Sequence, residues 1–330
     1  MYEILQGGLV VSGFKVIVKK ELADHLSSYR FLILLLIIIM VSLVLVYMAS
    51  DSMKEQLQGE KLFKFVFLML FTSSKVGFSL VEFIAYFGPL IGLMIGFDSI
   101  NRERNEGTLS KLLAQPIYRD NVINGKYIAG VGVIGLMVVS IIMLITGVGL
   151  FEVGVKPGME EFWRIFIYAI ISIIYISLWL AVSILFSTIF RSVATSALAS
   201  FALWIFFSFF LPFGINALAN SIVSSAGLLN YKESLMRVIR IEKILSFTSP
   251  MMLYSNATAT IIDPLRRSVI PTAMQMGMRE QLSIKRFAGP LPLFQSFLIV
   301  APYIFYLVAI TIIIFIITYV IFMRQEIRSI

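Results

Sequence analysis

The sequence predicts an all-α membrane protein with six transmembrane helices. An interfacial helix precedes them, and a helical extracellular segment lies between spans five and six. Three observations predict this class. Of 330 residues, 59% are hydrophobic and the mean hydropathy is strongly positive. Several uncharged runs reach the roughly 20 residues that cross a bilayer. Lys and Arg gather at span ends and in loops, so the net charge of +8 suits anionic headgroups and not nucleic acid. With no cysteine, disulfides, thiolate metal sites and thiol nucleophiles are excluded, and the single histidine, His25, rules out a histidine-rich metal site.

Taken in order, residues 1–30 come first. Phe14, Val18, Leu22 and Leu26 recur four apart among lysines, which predicts a helix lying in the headgroups with one apolar face. The first apolar run starts near Phe31, too late and too long for a cleavable signal peptide. Span one is 31–49. A polar stretch from 51 to 61 leads to an apolar piece, 62–71, too short to cross and read as interfacial or re-entrant. Span two, 77–97, carries Glu82 and the stripe Gly88, Gly92, Gly96, which puts a smooth face on one side of the helix. That face fits either a close contact between protomers, a moving joint, or packing within one subunit. Glu82 lies about 24 Å along the helix from Asp98, hence near the outer interface, as a solvated carboxylate or a gate or cargo contact.

Span three is 127–150, span four 164–189, and span five 193–213 after the turn Phe190-Arg191-Ser192. Span six is 297–323. The 214–296 segment is too long for a bare connector. Within it Leu235, Val238, Ile239 and Leu245 share one helical face and Arg237, Arg240 and Lys243 another. Asn256-Ala257-Thr258 forms a glycosylation sequon. Six spans put both termini on one side. The short segments on that side carry twelve basic residues against six opposite, which predicts cytoplasmic termini in the cell membrane.

The loop between spans two and three, 98–126, joins the bundle to something else. Leu109, Leu112 and Leu113 recur at one-face spacing, and Pro116 stops the helix. The order Asp98-x-Ile100-x-x-Glu103-Arg104-x-x-Gly107-Thr108-Leu109, then Leu112-Leu113-x-x-Pro116-Ile117 and Gly125-Lys126, resembles the first cytoplasmic loop of ABC-2 type transporter permeases. The stretches Lys19-Lys20-Glu21-Leu22 with Arg30-Phe31, and 245–264, resemble the same family more weakly. Asn105 departs from it, standing where an acid is often found. The resemblance implies a single transmembrane domain over 1–330 whose loop is a coupling helix resting on a separate cytoplasmic ABC ATPase subunit. It also implies a second permease subunit, identical or paralogous. The transmission residues it implies are Asp98, Glu103, Arg104, Glu106, Gly107, Thr108, Leu109, Leu112 and Leu113. In that role charges pair, the glycine gives backbone clearance and the threonine caps a helix.

The chain carries no phosphate loop: Gly125-Lys126 fails because Asp120 replaces the first glycine and Tyr127 the hydroxyl. It therefore predicts no cofactor and no enzyme activity here, with ATP and Mg on the partner. Spans three to six hold no charge in their interiors, which disfavours proton relays and ion channels and favours an apolar or amphipathic cargo. The expected function is a permease subunit of an ATP-driven exporter. A mechanical transmitter acting on an external partner and a stand-alone channel or carrier are the alternatives.

Overall fold

The computed structural model describes residues 2–57, 65–72, 79–115, 117–154, 156–225, 244, 246–264 and 290–325. Among them there are helices and no strands. In chain order these are α1 (Tyr2–Ser27), α2 (Tyr29–Leu57), α3 (Met69–Thr72) after a 3-10 turn at Val66–Leu68, and α4 (Leu80–Gly96). Then come α5 (Asn101–Asn105), α6 (Thr108–Leu113), α7 (Arg119–Val153), α8 (Met159–Ile189) and α9 (Val193–Ile205). A π-helical stretch (Phe206–Phe210) leads into α10 (Leu211–Ser225). After it come α11 (Pro250–Ile262) and α12 (Leu293–Arg324). Six helical stretches are long and apolar enough to cross a membrane: Tyr29–Asp51, Leu80–Asn105, Arg119–Glu152, Met159–Ile189, Val193–Ile215 and Leu293–Arg324. The six-span all-α reading holds.

The pillar of the bundle is α8, the most buried of the six spans, against which α4, α7, α9, α11 and α12 all pack. The glycine stripe of α4 is what brings α4 and α8 together. A Cβ on Gly92 would come within 2.5 Å of the Ile176 carbonyl oxygen and 2.8 Å of the Leu180 nitrogen, and one on Gly96 would meet Ser183. The stripe is thus an intramolecular contact and not a surface between protomers. Pro89 cannot donate to the carbonyl four residues back, and Tyr175 supplies the missing donor, its hydroxyl reaching the Ala85 oxygen at 2.7 Å. Ser183 Oγ donates to the Gly92 carbonyl at 3.1 Å. Glu82 closes the start of its own helix. Its carboxylate accepts from the Ser79 N–H at 2.7 Å while Ser79 Oγ accepts from the Glu82 N–H, a reciprocal cap on the start of α4.

Two expectations for the far end of the bundle need correction. The apolar piece after span one is not purely interfacial, as one of its two expected readings had it, and the re-entrant reading stands open: Phe67, Leu68, Leu70 and Phe71 are buried, with Phe71 edge-on to Tyr168. Glu161 Oε1 accepts from the Phe67 N–H at 3.0 Å and fixes the turn to the start of α8. The segment after span five is not simply external either. α11 is buried along its whole length between α4, α8 and α12, starting where Ser249 Oγ donates to the Phe207 carbonyl. It ends where the fully buried Arg164 donates to the carbonyls of Thr260 and Ile261. At 13 residues it spans about 20 Å, too short to cross a bilayer. Its hydroxyls make the burial affordable: Thr258 Oγ1 donates to the Tyr254 carbonyl and Thr260 Oγ1 to that of Ser296. Asn256, the sequon residue, is only 5% exposed in this helix and offers no room for a glycan. The basic amphipathic helix expected around Leu235, Val238, Ile239, Arg237, Arg240, Lys243 and Leu245 lies outside the described residues.

At the near end, Ser28 divides α1 from α2, its Oγ accepting from the Phe31 N–H at 3.2 Å. The apolar row of α1 packs on protein: Leu22 and Leu26 lie against the core, and Ile17 is buried where α1 crosses α7. Gly125 permits that crossing, since a Cβ there would lie 2.6 Å from an Ile17 methyl.

Candidate functional site

The loop between spans two and three folds as two short helices joined at a bend. Gly107 takes φ +67, a conformation L side chains rarely adopt, and an added Cβ would meet nothing within 4 Å. The glycine therefore serves the turn between the two helices. Thr108 does not cap α6 with its side chain. Its Oγ1 donates to the Glu103 carbonyl at 3.2 Å and stitches the second helix to the first.

One face of this elbow is fastened to other parts of the chain at several points. At its start the Ser187 hydroxyl of α8 accepts from the N–H groups of Ile100 and Asn101, at 3.0 and 3.2 Å. Asp98 pairs with Arg30 of α2 at 2.5 Å, and the Arg30 guanidinium also lies over the Phe97 ring. Arg104 donates to the Thr188 carbonyl and to Gln325 Oε1. The amide nitrogen of Gln325 returns to Thr188, and Arg119 binds the Gln325 carbonyl. Asn105 donates to the Arg191 carbonyl at 3.1 Å. The elbow is thereby tied to the end of α8, the turn after it and the end of α12.

Glu103 makes the deepest tie. Lys126 of α7, 3% exposed, lies 2.8 Å from Glu103 Oε1 and 2.9 Å from Glu21 Oε1 of α1, and Lys20 bridges the same two carboxylates at 2.9 and 3.3 Å. One buried lysine thus joins the N-terminal helix, the elbow and the third span. Burial alone would raise the Glu21 carboxyl, but Lys126 and Lys20 outweigh it and hold Glu21 below its ordinary value. His25 is pushed down by burial and by Lys126, against the pull of Glu21, Asp98 and Asp24.

The expected site residues therefore divide. Asp98, Glu103 and Arg104 are used within the chain. Leu109 is fully buried and Leu112 packs partly against the core, so neither forms an open leucine edge. The side chain of Leu113 and all of Pro116 lie outside the described residues. Glu106, Thr108, Lys111 and Gln115 face outward, with Glu106 paired only to Arg102 of its own helix at 2.9 Å among the described residues. Gly88, Gly92 and Gly96 lie in the α4–α8 seam, which runs down to the start of the elbow, where Ser99 Oγ donates to the Gly96 carbonyl at 2.9 Å, and Glu82 lies at the opposite end of α4. Sequence reasoning missed Ser187 and Gln325, and quoted Lys20, Glu21 and Lys126 without giving them a role. A lysine heading a long uncharged helix was the available signal, since burying such a charge requires a partner. Among the described residues no group of three or more His, Asp or Glu is disposed to hold a metal.

The elbow, α1, α2 and the end of α4 enclose a cleft of about 850 Å³ open to the exterior at this end. A family model described as ABC-2 family transporter protein matches residues 15–327, nearly the whole chain and all of this site. No curated protein matches significantly. With six spans in order and the elbow placed between the second and third, the chain belongs to the ABC-2 family of transporter proteins, as a membrane permease subunit.

Proposed function

We propose that this subunit works in an ATP-driven exporter, with two permease subunits and two cytoplasmic ABC ATPase subunits that bind ATP and Mg. The α5–α6 elbow is the surface on which an ATPase rests. The cargo is apolar or amphipathic, in keeping with the uncharged interiors of spans three to six. The termini and the elbow lie in the cytoplasm and the spans in the cell membrane, as the excess of basic residues on that side suggests.

One observation carries this reading. The inner face of the elbow is locked to α1, α7, α8 and the end of α12 by charged side chains, while its outer face, with Glu106, Thr108, Lys111 and Gln115, is left open. A push on the outer face is therefore delivered to four helices at once, as a rigid body and not through a flexible loop. The two faces should fail differently, and the test is co-purification with the ATPase and substrate-stimulated hydrolysis in reconstituted complexes. Glu106→Arg, on the open face, should weaken association by about tenfold, the scale of one interfacial charge contact. Glu103→Gln should leave association largely intact and abolish the stimulation. If both variants match the parent in both measurements while folded in the membrane, the elbow is not the coupling surface.

A further inference from the structure

Away from the cleft, the elbow has a flank where positive charge is gathered and not balanced. Arg104 of α5 and Arg119 of α7 both donate to Gln325 at the end of α12, one to its side-chain oxygen and the other to its carbonyl. Arg191, in the turn after α8, is held beside them because Asn105 donates to its carbonyl at 3.1 Å. Its charge lies near enough to repel that of Arg104. Arg324 adjoins Gln325, and its side chain, like that of Arg191, is exposed. None of the four lines the cleft or makes an ion pair among the described residues. Asp120, beside Arg119, accepts from the Asn121 N–H, and the five residues after Gln325 add one acid and one base, Glu326 and Arg328. On the cleft side, by contrast, Lys20, Arg30, Arg102 and Lys126 are all matched by carboxylates. Arg104 donates only through Nη2 and Arg119 only through Nη1, so further N–H groups of both are free for an acceptor.

The arginines stand at the ends of two helices that finish together. Thr318 Oγ1 of α12 donates to the Ala181 carbonyl of α8, and seven residues further along both helices Gln325 Nε2 donates to the Thr188 carbonyl. Below them the surface is apolar. Val320, Ile317 and Ile313 precede Arg324 by four, seven and eleven residues, on one face of α12, and all three are exposed. The lane they form runs about 17 Å into the span from Arg324. Ile189 is likewise exposed two residues before Arg191. A soluble acidic partner would match the charges and leave the lane uncovered. A zwitterionic lipid would cover the lane but bring its own cation to the arginines. A lipid with a net negative headgroup satisfies both.

We propose that this flank binds an anionic phospholipid, of the phosphatidylglycerol class, from the leaflet on the elbow's side. Its phosphate lies among Arg104, Arg119, Arg191 and Arg324, whose guanidinium forks match phosphate oxygens in pairs, and an acyl chain follows the lane towards Ile313. The lipid acts as the missing counter-ion of a junction that joins the elbow, the start of α7, the turn after α8 and the end of α12. The site rests on membrane insertion and not on ATPase docking.

The test uses the purified chain without any ATPase, stripped of lipid in detergent, so failure here leaves the coupling reading standing. Native mass spectrometry should show phosphatidylglycerol retained about tenfold better than phosphatidylethanolamine. The Arg191 and Arg324 side chains make no hydrogen bond or ion pair among the described residues, so their loss spares the fold. Arg191→Gln and Arg324→Gln should each weaken retention of phosphatidylglycerol about fivefold, the effect of one basic residue at a lipid surface, and leave phosphatidylethanolamine unchanged. Arg102→Gln removes the same charge from the cleft side and should change neither. Phosphatidylglycerol carrying a photoreactive group in its acyl chain should label the 313–320 stretch of the parent protein, a readout that needs no variant to fold. Inorganic phosphate in large excess should not displace the lipid. Equal retention of the two lipids, equal effects of the three substitutions, labelling spread evenly over the exposed faces of α2 and α12, or displacement by inorganic phosphate would overturn the proposal. A glutamate-rich peptide that binds the parent and not Arg191→Gln, with the two lipids retained equally, would assign the flank to an acidic protein segment instead.

Discussion

At the scale of residues, the chain places charge below its surface only where a partner waits. Lys126 is the clearest case: leaving its buried ammonium without both carboxylates would cost about 3–5 kcal/mol, the usual penalty for an orphaned buried charge. Beside it, the depressed values of His25 and Glu21 make this end of the molecule sensitive to acid. Burial lowers the His25 imidazole below its ordinary 6.5, so the folded state binds fewer protons than the unfolded one as pH falls below that value. Glu21, held below its ordinary 4.5, contributes stability that is complete above that value and is lost as pH falls through the folded one. Both contributions act in the same direction, in two separate windows. Melting temperature in detergent should fall between about pH 7.5 and 5.5, and His25→Gln should flatten that step. A second fall below about pH 4.5 should survive in His25→Gln and shrink in Glu21→Gln. A melting temperature independent of pH across both windows would contradict the burial of this cluster.

At the scale of elements, patterns readable in one dimension are separated from those that need a second helix. Length and apolarity located six spans, and the four-residue spacing of Gly88, Gly92 and Gly96 showed a smooth face. What covered the face was not legible, because lipid, a second protomer and α8 all ask for the same small residues. The elbow shows the same limit: its leucine spacing was visible, yet Leu109 turns inward to the bundle and the working charges pair with α1 and α7. α11 was hidden for a different reason, since 13 residues rich in Ser, Thr and Asn look external until their hydroxyls are seen bonding within the helix and to Ser296. The α4–α8 seam yields a sharp prediction. Gly92→Leu drives a side chain into the α8 backbone and should cost on the order of 3 kcal/mol or more, the upper range of overpacking. Gly147→Ala, on a helix where an added Cβ meets nothing, should be neutral or slightly stabilising through helix propensity. Thermal denaturation of the two purified variants distinguishes them, and equal stability would show that α4 does not rest on α8.

At the scale of the whole molecule, the two ends of the bundle are built in opposite ways. One end gathers α1, the elbow, the end of α8 and Gln325 around Lys126 and Arg104. The other gathers the 65–72 turn, the start of α8, the end of α11 and the start of α12 around Glu161 and Arg164. The first collects side chains from both chain termini and leaves an open charged face. At the second, the Arg164 guanidinium is enclosed by backbone carbonyls and Glu160. Only the direction in which this asymmetry sits in the membrane comes from the count of basic residues. Because the chain has no cysteine, single cysteines report on it directly. Lys111→Cys, exposed on the elbow, and Lys156→Cys, exposed on the loop between α7 and α8, mark the two ends. In intact cells an impermeant thiol reagent should label Lys156→Cys at once and Lys111→Cys only after permeabilisation. The opposite order would invert the molecule and remove the elbow from reach of any cytoplasmic ATPase. Labelling of both positions from outside would mean an even number of crossings between them. The long helix α7, which alone separates the two, would then fail to span the membrane.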